Sequence, residues 1–79
     1  MGTKAEETAP GATGCLAKAG DDEPLFILRA KDMVAPGVVR VWAHYARGAG
    51  APEEKVQEAL AAADRMEQWQ KANGRKVPD

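Results

Sequence analysis

Few residues in this chain combine the type and spacing that chemistry needs. There is no serine, so Cys15 is the nucleophile to consider. A catalytic thiol needs a base held beside it in fixed geometry, and His44, the one histidine, lies far along the chain on a different segment. Cys15 therefore reads as a thiol without function and His44 as a solvent-facing helical residue. Carboxylates are adjacent at Asp21-Asp22-Glu23 and at Glu53-Glu54. General acid–base work needs carboxylates that converge in a partly dry pocket, and neighbours in sequence do not converge. The first cluster reads as an acidic hinge and the second as a helix start. One histidine and one cysteine cannot build a Cys/His zinc site. Gly11-Ala12-Thr13-Gly14 and Gly48-Ala49-Gly50 lack the lysine-bearing helix start of a phosphate loop. No enzyme, cofactor, metal or small-molecule substrate is expected.

The elements that carry these residues follow from where bulk is concentrated. Eighteen side chains of the 79 are large and apolar, and all but Met1, Leu16 and Val77 lie between Leu25 and Trp69. Residues 1–20 hold half of the eight glycines and bury too little to offset their ordering entropy. They read as a disordered N-terminal leader, with residues 21–79 as a single small helical domain. The leader has no apolar run of signal-peptide length and no arginine, so the expected address is cytoplasmic. No apolar run approaches bilayer length either.

Leu25-Phe26-Ile27-Leu28 is a continuous apolar run whose period cannot separate strand from helix. Its Phe and Ile content and the preceding Pro24 favour an extended segment over 25–29. The alternative is a short helix capped by Asp21 or Asp22 with Pro24 in its first turn. A strand here needs a partner, either the tail around Lys76-Val77 or the same segment of a second molecule.

Helical periodicity then predicts two helices, over 33–48 and 52–72, in an antiparallel hairpin. Asp32 is the expected N-cap of the first, and Pro36 is tolerated in its first turn. Its apolar face carries Val34, Val38, Val41, Trp42 and Tyr45, flanked by Val39 and Ala46, with Arg40, His44 and Arg47 opposite. That arc is wider than one contact requires. The glycines at 48–50 stop the helix. Pro52, Glu53 and Glu54 open the second, Gly74 ends it, and Val56, Ala59, Leu60, Ala63 and Met66 form its apolar face. Ala62 and Trp69 flank that face. Glu67 points into it, either to meet unpaired N–H groups at the start of the first helix or to stay solvated at the edge. The fold class is mainly α.

Charge narrows the function classes. Eleven basic against twelve acidic residues leave a net charge of −1, unlike a dedicated nucleic-acid binder. Five acids against Lys55 and Arg65 make 52–70 repel phosphate. Nucleic-acid contacts, if any, fall to Arg40, His44 and Arg47 with Arg75 and Lys76. Membrane association is not expected, because the Val/Trp/Tyr face has a ready partner in the Ala-rich helix.

The run Asp22-Glu23-Pro24-Leu25-Phe26-Ile27-Leu28-Arg29-Ala30-Lys31-Asp32 resembles a group of short bacterial and phage- or prophage-encoded proteins of unassigned function. So do Ala35-Pro36 with Val39-Arg40 and Trp42-Ala43, and Glu58-Ala59-Leu60 through Ala63-Asp64-Arg65-Met66-Glu67 with Trp69. The resemblance spans Cys15 to Asp79 and implies a compact domain that travels with phage genes. It supplies no activity and no binding residues.

Fifteen large side chains are few for about fifty ordered residues, so the monomer is expected to be marginal. The expected function is protein–protein interaction, by self-association or docking on a phage or host protein. Its surface would be Phe26, Trp42 and Tyr45 on one side and Met66 with Trp69 on the other. The alternative is an accessory nucleic-acid-binding protein.

Overall fold

Helix boundaries follow the chain's punctuation. The computed structural model describes residues 1–79 and contains four helices: α1 (Lys4–Glu7), α2 (Cys15–Lys18), α3 (Ala35–Gly48) and α4 (Glu53–Asn73). α1 and α2 are single turns within the leader that bury no side chain. Thr3 and Glu6 cap α1 reciprocally, and Arg65 of α4 donates to the Met1 carbonyl at 2.7 Å. The fold proper is the α3–α4 pair. No helix is long and apolar enough to cross a membrane.

α3 starts two residues later than its sequence predicts. Asp32 is not its N-cap: that position is Val34, which offers no side-chain bond. Asp32 instead closes a turn. Its N–H donates to the Arg29 carbonyl (3.0 Å), its carboxylate accepts from the Arg29 N–H (3.4 Å), and its carbonyl accepts from Ala35 N–H (2.9 Å). The Asp side chain reaches back by three residues, so a turn stands between the helix and the apolar arm at Leu25–Leu28.

The end of α3 is a Schellman motif. Gly50, at φ +92°, donates to the Arg47 carbonyl, and Ala51 donates to the Ala46 carbonyl. A Cβ at Gly50 would be strained by that φ although it would meet no atom. Ala51 packs on the core as it leaves the turn, and Pro52 at φ −56° launches α4. At the far end Gly74, at φ +91°, stops α4 as expected.

The core contains little bulk. Ala43 of α3 meets Val56 and Ala59 of α4, with Val39, Ala51 and Leu60 packed around them. Ala35, Pro36, Ala62 and Ala63 are also buried, and Val56 is the one large side chain that is fully enclosed. The face expected to pack inward, Val34, Val38, Val41, Trp42 and Tyr45, is exposed instead. At 100° per residue, the buried line through Ala35, Val39, Ala43 and Ala46 lies about 120° around the helix from that stripe.

Two effects select this rotation. Alanines on both helices let the axes approach closely, which a stripe of Val and Trp would prevent. The same rotation brings Arg47 to Glu53 and Arg40 to Asp64 and Glu67. Turned the other way, both arginines would face away from those carboxylates.

The 25–29 segment before α3 forms neither the expected strand nor the alternative short helix, because the tail that would pair with it bonds further along the chain. The tail does pair with the chain, through a parallel bridge between Asp32 and Lys76. Met33 N–H donates to the Lys76 carbonyl at 2.8 Å, and Lys76 N–H donates to the Lys31 carbonyl at 2.9 Å. That contact falls after the 25–29 run. Leu25 to Leu28 make no backbone hydrogen bond. Gln70, buried on α4, completes the clasp by donating to the carbonyls of Ala30 (2.8 Å) and Asp32 (3.1 Å).

Candidate interaction surface

The outer face of α3 is apolar because its bulk points away from α4. Tyr45 is 73% exposed and Trp42 48%, with Val34, Val38 and Val41 beside them. The His44 imidazole sits edge-on to the Tyr45 ring, at 6.2 Å between centroids and 71° between planes. On the arm, Phe26 is 87% exposed, and Leu25 and Ile27 are exposed with it. On α4, Trp69 is exposed while Met66 is half-buried. Of the five residues singled out from sequence, Trp42 and Tyr45 share the α3 face. Phe26 stands on the arm, and Met66 and Trp69 belong to α4.

The basic residues have a different setting. Arg40 donates to the Glu67 carboxylate at 2.5 Å and to Asp64 at 2.9 Å. Arg47 donates to both oxygens of Glu53, at 2.6 and 3.1 Å, and Gln57 donates to the same carboxylate. Hydrogen bonding by Arg47, then by Gln57, draws the Glu53 carboxyl from its ordinary 4.5 down to about 2. The Glu67 carboxyl is lowered chiefly by its bond from Arg40, and both guanidinium groups are held more firmly protonated by the same bonds. Glu67 thus finds a side chain and not the backbone N–H groups at the start of α3. Ala35 N–H is already bonded to Asp32 and Pro36 has none, so that end makes little demand.

These pairs leave the expected cationic surface largely neutralised. Arg75 is exposed, whereas Lys76 is half-buried, its backbone in the bridge and its ammonium paired with Asp79. An open cleft of about 500 Å³ between the helix ends is lined mainly by polar residues, among them Arg40, Glu67, Gln70 and Lys71. No group of three or more His, Cys, Asp and Glu residues is arranged to hold a metal ion, and Cys15 is exposed on α2.

Sequence reasoning missed the outward turn of Val34, Val38 and Val41, as well as the role of Gln70. Gln70 carried a signal: it falls in helical register with Val56, Ala59 and Ala63, and a polar amide on an apolar line calls for buried partners. No family model matches the chain, and neither a curated protein nor a solved structure does.

Proposed function

We propose that this protein is a non-catalytic protein–protein interaction module that binds through the outer face of α3 together with the apolar arm at Leu25–Leu28. The observation that carries this is the distribution of bulk. The α3–α4 core is alanine-based, whereas two of the four aromatic side chains and three valines project from one face of α3. An apolar strip that ends in two aromatic side chains, Trp42 and Tyr45, has the composition of an interface core. Phe26, on a segment with free backbone donors and acceptors, adds a second apolar contact that also offers hydrogen bonds. The guanidinium groups that a phosphate backbone would need are already held by carboxylates, which argues for a protein partner over a nucleic acid.

The test is site-specific photo-crosslinking in the native host. A photoreactive side chain at Tyr45 or Phe26 is expected to give discrete adducts of higher mass, with this chain or with another protein. The same group at Lys55, on the polar side of α4, is expected to give none. Absence of adducts at both apolar positions contradicts the proposal.

A further inference from the structure

We propose that Asn73 is a site of self-modification, held closed by the clasp at the end of α4, and that its conversion to aspartate or isoaspartate releases the tail for good. Asn73 is the one asparagine of the chain, and glycine follows it. Attack of the Gly74 amide nitrogen on the Asn73 carboxamide carbon closes a five-membered ring. Glycine offers that attack the least obstruction, having no side chain beside the nitrogen. The space around it is open as well, since a Cβ on Gly74 would meet nothing within 4 Å. Asn73 is exposed, so water and hydroxide reach it.

The folded chain keeps the ring from closing. Asn73 is the last residue of α4, and the helical backbone aims the Gly74 N–H back at the Gln70 carbonyl, 2.7 Å away. The Asn73 amide is held in turn, donating to the Trp69 carbonyl at 3.0 Å. Two residues beyond Gly74, the bridge ties Lys76 to Lys31 and Met33. Gln70 fixes the same stretch from the helix side, through the carbonyls of Ala30 and Asp32. The peptide unit between Asn73 and Gly74 is therefore pinned at both ends. Turning its nitrogen towards the carboxamide breaks the Gln70 bond and draws Lys76 out of the bridge. Such an opening is local and of low cost, because the tail buries no side chain and Val77 is 71% exposed.

Once the clasp opens, the chemistry needs only water. Hydroxide takes the Gly74 amide proton, the nitrogen bonds to the Asn73 Cγ, and Nδ2 leaves as ammonia on taking a proton from water. Water then opens the succinimide. Addition at Cγ restores the ordinary backbone with an aspartate, whereas addition at the main-chain carbonyl carbon leaves the backbone running through Cβ and Cγ as isoaspartate. Either product puts a carboxylate on the last residue of α4, where the negative end of the helix disfavours an anion. Isoaspartate also adds a methylene to the backbone, so Gly74 and Lys76 no longer meet Gln70 and Lys31 in register. The tail then stays off, and the backbone groups of Lys31 and Met33 lose their partner. Nothing in this reaction depends on what α3 binds.

Incubating the full chain at about pH 8, native and in urea, with intact-mass and peptide mapping over time, tests the proposal. Asn73 should be converted at least about tenfold faster in urea than in the native chain. Gln70→Leu, which weakens the clasp and spares the carbonyl that holds Gly74, should speed the native reaction by about fivefold or more. Lys76→Pro removes the N–H given to Lys31 and should act in the same direction, which covers the case in which Gln70→Leu fails to fold. In the purified isoaspartate form, amide exchange at Met33 and Lys76 should be fast while that of Val56 stays slow.

An Asn73 that survives in urea overturns the proposal. Equal rates in the native and unfolded chains, or folded tether variants no faster than the parent, show that the clasp is no gate and overturn it too. Slow exchange at Met33 and Lys76 in the isoaspartate form overturns the release of the tail.

Discussion

Val56→Ala and Val41→Ala make the most informative pair of substitutions, because sequence pattern alone assigns both valines to the core. Val56 is fully enclosed between Ala43 and Ala59, and its helical neighbours cannot collapse into a void. Removing two methyl groups at about 0.8 kcal/mol each, with a cavity term added, amounts to a loss of about 2.5 kcal/mol. Unfolding entropy for 79 residues is about 0.17 kcal/mol per kelvin, so the midpoint should fall by about 15 °C. Val41 is half-exposed on the outer face of α3. There the smaller burial loss is offset by alanine's helix preference of about 0.6 kcal/mol, and the midpoint should move by less than about 3 °C. Thermal melts followed by circular dichroism at about 1 μM measure both values. Equal losses for the two variants at that concentration would refute the assigned rotation of α3.

Gln70→Leu leaves the carbonyls of Ala30 and Asp32 without their donor and should cost about 1–3 kcal/mol in the same melts; no change would mean that water replaces the amide without loss. Gln70→Glu sets a carboxylate against those carbonyls, so its folded pKa rises. Its deficit relative to the parent should be small below about pH 4 and grow as pH rises past the unfolded value near 4.3. A deficit independent of pH would contradict that contact. Glu53, held at about 2 against an ordinary 4.5, contributes stability that is full above 4.5 and lost as pH falls towards 2. Melting temperature should therefore decline less over that range in Glu53→Gln than in the parent, and parallel profiles would count against the Arg47 contact. Titration of duplex DNA at low salt should show no saturable binding, whereas a steep salt-dependent affinity would mean that Arg40 and Arg47 leave their carboxylates for phosphate.

Both long helices were legible because their ends carry residues with one conformational use each. Gly50 and Gly74 supply positive φ, Pro52 fixes the entry to α4, and Glu53 and Glu54 suit its first turn. The α4 face was legible for the same reason that α4 works: Val56, Ala59 and Ala63 are its only sensible inward line. The rotation of α3 was not. Hydrophobic periodicity weighs residues by size and so selects the Val/Trp/Tyr stripe, whereas close packing of two helices rewards small residues on both sides. The line Ala35, Val39, Ala43 and Ala46 meets that condition. The positions of Arg40 and Arg47 beside it were the remaining clue, since α4 carries carboxylates at matching heights.

For the interaction surface, residue type was readable and arrangement was not. Phe26, Trp42, Tyr45 and Trp69 are all exposed, but they divide among the arm, α3 and α4. The pairing of the tail was anticipated in kind and displaced in position. Its partner is Asp32 and not the 25–29 run, because the turn closed by Asp32 presents the carbonyl of Lys31 and the N–H of Met33 to Lys76. Glu67 stood out as a carboxylate on an apolar face, yet its partner proved to be a guanidinium one turn into α3.

Side-chain nuclear Overhauser contacts in a dilute, monomeric sample test the central claim most directly. Cross-peaks from the Ala43 methyl to the Val56 and Ala59 methyls, with none from Val41 or Trp42 to α4, are the expected pattern. Cross-peaks from Val41 or Trp42 to Ala59 or Ala63, with Ala43 silent, would turn the apolar stripe inward and leave no surface for a partner.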